Sequence, residues 1–170
     1  TVYSQATVLS LDETKTAMIL SKKEGYIKLQ AKAVVMASGC RERSRGSISI
    51  PGDRCCGIMS AGTAQHYLNL DGYLPGKDVF ILGSGDIGLI MARRMTLEGA
   101  VVHGVAEIMP YSNGLKRNIV QCLEDFNIPL YLSTTVIKTI GRNRLEKIVL
   151  AKVDENLKPI AGSEWEVECD

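Results

Sequence analysis

Val79-Phe80-Ile81-Leu82-Gly83-Ser84-Gly85-Asp86-Ile87-Gly88 is a four-residue apolar run followed at once by G-x-G-x-x-G. Glycine-rich hexamers are common turns, so context decides what this one means. An apolar strand leads in, and a helical pattern from about Asp86 to Glu98, stopped by Gly99, leads out. In that setting each glycine has a task. Gly83 permits a tight turn, Gly85 lets a pyrophosphate approach the backbone, and Gly88 lets the helix pack closely on the strand. The helix N-terminus adds free N–H groups and the positive end of its dipole. Gly83, Ser84, Gly85, Asp86, Ile87 and Gly88 are therefore expected to cradle the phosphates of a dinucleotide. The same fingerprint calls for an acid at the end of the next strand, about 20 residues on, and Glu107 stands there. Its carboxylate is expected to accept both hydroxyls of an adenosine ribose and to repel a 2′-phosphate, which favours NAD(H) over NADP(H). Lys116 and Arg117 come late for a 2′-phosphate clamp unless the loop after that strand folds back. The plainer alternative is a structural turn with a surface glutamate.

Outward from this motif the chain alternates. Val101–Val105 reads as a second strand, Asn118–Phe126 as a second helix stopped by Asn127 and Pro129, and Leu130–Leu132 as a third strand. This order predicts a parallel sheet with crossover helices. After Ser133 the helical signal disappears. Val136–Ile140, Leu145–Val153 and Glu164–Glu168 then predict an antiparallel three-stranded meander. Before the motif, Thr7–Leu9, Ala17–Leu20 and Tyr26–Leu29 read as short strands, and Ala33-Val34-Val35-Met36-Ala37 as a buried one ending at Ser38-Gly39. Ala61–Leu70 reads as a short helix. The polar, Arg-rich stretch Arg41–Asp53 is the best candidate boundary.

The 170 residues are 45% hydrophobic and 23% charged, with a formal net charge of +1. That length can bury a real core. The balanced charge argues against a nucleic-acid partner, and no apolar run is long enough to span a membrane. The first residues do not read as a charged-then-apolar leader, so a cytoplasmic location is expected. Cys40, Cys55, Cys56, Cys122 and Cys169 lack a C-x-x-C, which argues against a zinc site or a disulfide framework. The start at Thr1 and the end directly after a strand-like Trp165–Cys169 suggest a segment of a longer chain.

Taken in order, Ala33–Gly39, then Ile50-Pro51-Gly52, then GSGDIG resemble the flavin-dependent pyridine nucleotide–disulfide oxidoreductase superfamily. The resemblance implies an α/β fold: a Rossmann-like parallel sheet with an antiparallel three-stranded meander, plus a fragment of FAD-domain β-sheet. Residues 1–50 would be a remnant of the FAD-binding domain, 51–75 a crossing segment with a short helix, and 76–170 the NAD(H)-binding domain. Ala37, Ser38 and Gly39 would lie on the FAD side in the parent. FAD is implied for the full-length enzyme and is not expected in this fragment, which alone would be inactive. The partners implied are the nicotinamide dinucleotide and the remainder of the flavoenzyme, and the function is passage of hydride between nicotinamide and FAD.

Three departures bear on the substrate. Where thioredoxin reductases carry C-x-x-C, the similar stretch Ser60–His66 has Gly62 and Gln65. Where many members place a glutamate two residues past the last glycine, this chain has Ile90. The Ala61-Gly62-Thr63-Ala64-Gln65 stretch is more similar to the branch of amine and amino-acid dehydrogenases that includes hydrogen cyanide synthase. No acid–base residue is singled out. Two rival readings stand: a disulfide reductase using Cys55 or Cys56, and a non-catalytic nucleotide-binding module. The adjacent Cys55-Cys56 reads first as two loop thiols. Cys122, Met91 and Met95 read as core, His66 as a helix-surface residue, and His103 as a satisfied core or edge histidine with no nearby carboxylate or cysteine at ligand spacing. Arg41, Arg43 and Arg45 read as a solvated basic cluster at the crossing.

Overall fold

The computed structural model describes residues 1–39 and 41–170; Cys40, one of the five cysteines above, lies outside the described residues. The chain divides into two compact units, Thr1–Arg41 and Glu42–Asp170. Among the described residues no helix is long and apolar enough to cross a membrane.

The first unit is an antiparallel meander of β1 (Ala6–Leu11), β2 (Thr16–Ser21) and β3 (Gly25–Gln30). Local polar chemistry makes its turns. Asp12 Oδ1 accepts from Thr14 Oγ1 at 2.6 Å and from the Thr16 N–H at 2.9 Å, an Asx-type closure between β1 and β2. Ser21 Oγ accepts from the N–H groups of Lys23 and Glu24 before Gly25 turns at φ +71°. The expected buried strand at Ala33–Ala37 is absent. Those residues pair with no strand, and Val35 and Met36 are 88% and 73% exposed. An apolar run becomes a strand only where a neighbour accepts its ladder, and no described strand does so here.

In the second unit β4 (Asp78–Leu82), β5 (Val101–Ala106) and β6 (Leu130–Tyr131) form a parallel sheet in that order. The first helix of the unit, α1 (Ala61–His66), precedes this sheet. The strands are joined through α2 (Asp86–Leu97) and α3 (Lys116–Cys122) with a 3₁₀ turn at Glu124–Phe126. Gly99 (φ +95°) and Asn127 (φ +54°) end the two crossovers in the left-handed conformation that stops helices. An antiparallel meander follows: β7 (Thr134–Gly141), β8 (Leu145–Lys152) and β9 (Trp165–Glu168). Alternation along β4 builds three layers. Val79 and Ile81 pack with Leu89, Met91, Ala92 and Met95 of α2, while Phe80 and Leu82 pack with Ile148 and Leu150 of the meander. Gly104 lacks the Cβ that would stand 2.5 Å from Tyr131 Cε2, so that ring fits between Phe80 and Trp165.

Helix α1 begins at Ser60, whose Oγ accepts from the Thr63 N–H, and runs into a π-helical turn at Tyr67–Asp71. The division after Arg41 falls at the start of the polar stretch, and the crossing segment touches the meander at two points. Gly52 bridges Thr139 and Cys56 bridges Arg144. Arg45 is not a solvated charge: its Nη2 donates to the carbonyls of Gly52 (3.0 Å) and Ile50 (3.3 Å) and to Thr139 Oγ1 (3.2 Å).

Candidate functional site

The turn after β4 and the end of β5 meet at the carboxyl edge of the parallel sheet, where the Gly83 N–H donates to Ala106 O at 2.7 Å. In open α/β sheets this edge is where ligands bind. The three glycines of the fingerprint have three environments. Gly83 turns at φ +106°. A Cβ on Gly88 would stand 2.6 Å from Gly83 O and 3.4 Å from Ile81 Cγ2, so its absence sets the helix-to-strand approach. A Cβ on Gly85 would meet nothing within 4 Å. The space beside Gly85, the residue that caps α2, is therefore open, and the first N–H groups of the helix have no partner within it. Ile87, next in the motif, is 45% exposed.

Ser84 has no exposed surface. Its N–H and O–H both donate to Glu107 Oε2, at 3.0 and 2.6 Å, and its carbonyl accepts from Ser112 Oγ at 3.1 Å. Glu107 is 5% exposed, and its Oε1 accepts from the Met109 N–H at 3.1 Å. A carboxylate offers about four acceptor positions. Three are used, which leaves room for one further donor.

Asp86 points away from the open space. Its Oδ1 accepts from the Leu115 N–H and from Asn118 Nδ2, both at 2.8 Å. These bonds hold its pKa below the ordinary carboxylate range, the Leu115 bond most and the Asn118 bond next, with a smaller contribution from the Arg117 charge. The loop after β5 thus does fold back onto the glycine turn. Sequence reasoning left these contacts out, since the partners are 29 and 32 residues away.

The remaining candidates lie apart from this edge. Cys55 packs in the core beneath the meander, beside Ile58 and near buried Cys169, whereas Cys56 is exposed. Burial pushes the Cys169 thiol up to about 11. Cys122, Met91 and Met95 are core residues. His103 Nε2 lies 2.9 Å from Asp78 Oδ1 on the neighbouring strand, which supplies the carboxylate that sequence proximity did not show. His66 is on the surface, 3.6 Å from Asp71. Ile90 lines an open groove of about 590 Å³ between α2 and α3, with Arg93, Asn118 and Phe126. Ala37, Ser38 and Gly39 lie in exposed, irregular chain. No group of three or more His, Cys, Asp or Glu placed to hold a metal occurs among the described residues.

The family model described as pyridine nucleotide-disulphide oxidoreductase matches residues 1–167. The chain belongs to this family. Its members are oxidoreductases that use FAD and NAD(P)H. Among curated proteins it is 24% identical over 157 residues to the HcnB component of hydrogen cyanide synthase from Pseudomonas aeruginosa, covering 84% of this chain and 33% of the relative. It is 29% identical over 147 residues to an opine oxidase component from Agrobacterium tumefaciens, covering 81% and 27%. The chain thus spans about a third of the length of the curated relatives it matches. Thioredoxin reductase of T. acidophilum superposes with a TM-score of 0.54 at 20% identity, over 97% of this chain and 50% of that one, which is a likeness of fold.

Proposed function

We propose that the Glu42–Asp170 unit binds NADH at the turn Gly83–Gly88, as the nicotinamide-binding portion of a flavin-dependent oxidoreductase. The observation that carries this reading is the pairing of open space at Gly85 with a carboxylate held at the same sheet edge. The α2 N-terminus then faces the pyrophosphate, and Glu107 keeps one acceptor position for a ribose hydroxyl. Ser84 acts on the nucleotide only through Glu107. A 2′-phosphate would meet that carboxylate as a like charge, and although the loop folds back, Arg117 is set against Asp86, so NADH is favoured over NADPH. NADH supplies the hydride, and the FAD held by the remainder of the parent enzyme receives it. Ala37–Gly39 joins the flavin side only with that remainder.

A Cβ on Gly57 would stand 3.1 Å from the Asp170 carbonyl carbon, so the crossing segment and residue 170 run side by side within the unit. The thiol reading has less support, since Cys55 and Cys56 occupy different environments. Calorimetry on Gly85→Val tests the proposal. The side chain fills open space and costs about 1 kcal/mol in N-cap preference, so the variant is expected to fold and to lose NADH binding. Unchanged NADH affinity would reduce the turn to a structural element.

A further inference from the structure

The segment between β5 and α3 is fixed at both ends against the glycine turn. At one end the Glu107 N–H donates to Tyr131 O at 2.9 Å, and Glu107 Oε1 holds the Met109 N–H. At the other, Asp86 Oδ1 holds Leu115 and Asn118, and Ser112 Oγ holds the Ser84 carbonyl. Gly114 allows the approach. A Cβ there would run into Leu89 Cδ1, stand 2.8 Å from Ser84 O and 3.4 Å from Asp86 Oδ1. Between the two anchors Pro110, Tyr111 and Asn113 remain exposed. The segment is therefore a wall beside the sheet edge, with its unanchored part confined to the middle.

Asp86 also presents an electrostatic problem. A free carboxylate in the first turn of α2 would oppose an incoming pyrophosphate. Here its oxygen is turned onto two donors of the α3 region and its charge is faced by Arg117. We propose that Asp86 is a positioning residue that latches residues 108–115 against the glycine turn, and that this fixed wall sets the affinity for the adenosine half of the dinucleotide. The proposal rests on the NADH reading above. A loose segment would have to be ordered when the nucleotide binds, and the latch meets that entropic cost beforehand.

ADP-ribose, which carries the adenosine and pyrophosphate without nicotinamide, is the probe. Its dissociation constant is measured by calorimetry for wild type, Asp86→Ala and Asp86→Asn, with amide hydrogen exchange followed at Leu115. Asparagine keeps the accepting oxygen and removes the charge. The latch requires that Asp86→Ala bind ADP-ribose about tenfold more weakly, as lost ordering of roughly 1.4 kcal/mol would give. It also requires faster exchange at Leu115, with both changes largely restored in Asp86→Asn. Should Asp86→Ala not fold, Asn118→Ala removes one donor and is expected to weaken ADP-ribose several-fold. Wild-type or tighter affinity in the folded alanine variants would overturn the latch. Failure of the wild type itself to bind ADP-ribose would overturn the nucleotide reading instead.

Discussion

Ser84 gives both its N–H and its hydroxyl to one oxygen of Glu107, at 3.0 and 2.6 Å, in a pair with almost no solvent contact. The bond ties the turn after β4 to the end of β5 and fixes where the carboxylate sits. Ser84→Ala removes the hydroxyl donor and leaves the carboxylate the backbone N–H groups of residues 84 and 109, whereas Glu107→Gln sets an NH2 group against one of these buried donors. A buried polar group left short of a partner costs about 1–3 kcal/mol. Ser84→Ala and Glu107→Gln are each expected to destabilise by that order, since the glutamine nitrogen cannot accept. The double variant should cost less than the sum, with a coupling above about 0.5 kcal/mol. Urea unfolding of the four proteins measures it, and additive costs would show that the contact carries no energy of its own.

The glycines separate fold from ligand. Gly88→Ala places a methyl 2.6 Å from a backbone carbonyl, so the helix must shift and stability should fall by about 1–3 kcal/mol. Gly85→Ser meets no neighbour, has an ordinary φ of −66° and keeps a good N-cap residue. It should leave the melting temperature nearly unchanged. Equal losses in the two variants would contradict the packing described for Gly88.

Acid weakens the Asp86 latch in a defined direction. Its folded pKa lies below the ordinary value of 3.8, so its contribution is fully present above about pH 5 and is lost as pH falls through the folded pKa. The stability difference between wild type and Asp86→Asn should therefore shrink as pH drops below about 4. A stability difference that stays constant across that acid range would mean that the charge of Asp86 contributes nothing.

Much of this fold was legible in the residues. The run Val79–Leu82 leading into G-x-G-x-x-G, with Gly99 and Asn127 ending the crossovers, specified strands and helices through local chemistry. What was not legible depends on partners distant in sequence. Ala33–Ala37 has the composition of a strand but no ladder neighbour among the described strands. Arg45 found its carbonyls and Thr139 only once the crossing segment lay on the meander. His103 found Asp78 because parallel pairing sets β4 and β5 side by side. The same holds at the site: the acid at Glu107 was expected, but not the donors that occupy it, nor the turning of Asp86 toward α3.

The thiols are expected to react in the order of their surroundings. Cys56 is exposed, whereas Cys122 and Cys169 are buried and burial raises both thiols, Cys169 to about 11. Iodoacetamide with peptide mapping should label Cys56 well before Cys122 and Cys169. Because the folded state holds the Cys169 proton more tightly, stability should also decline as pH rises from about 9 towards 11. Early labelling of Cys169 would contradict the core packing beneath the meander.

The central claim is tested most directly by a pair of dissociation constants, for NADH and NADPH, measured by calorimetry on the wild-type chain. A charge-assisted hydrogen bond to the ribose contributes about 1.5–3 kcal/mol, and the 2′-phosphate replaces it with repulsion. NADH should therefore bind at least roughly tenfold more tightly than NADPH. Equal affinities, or no binding of either, would contradict the placement of the nucleotide between the glycine turn and Glu107.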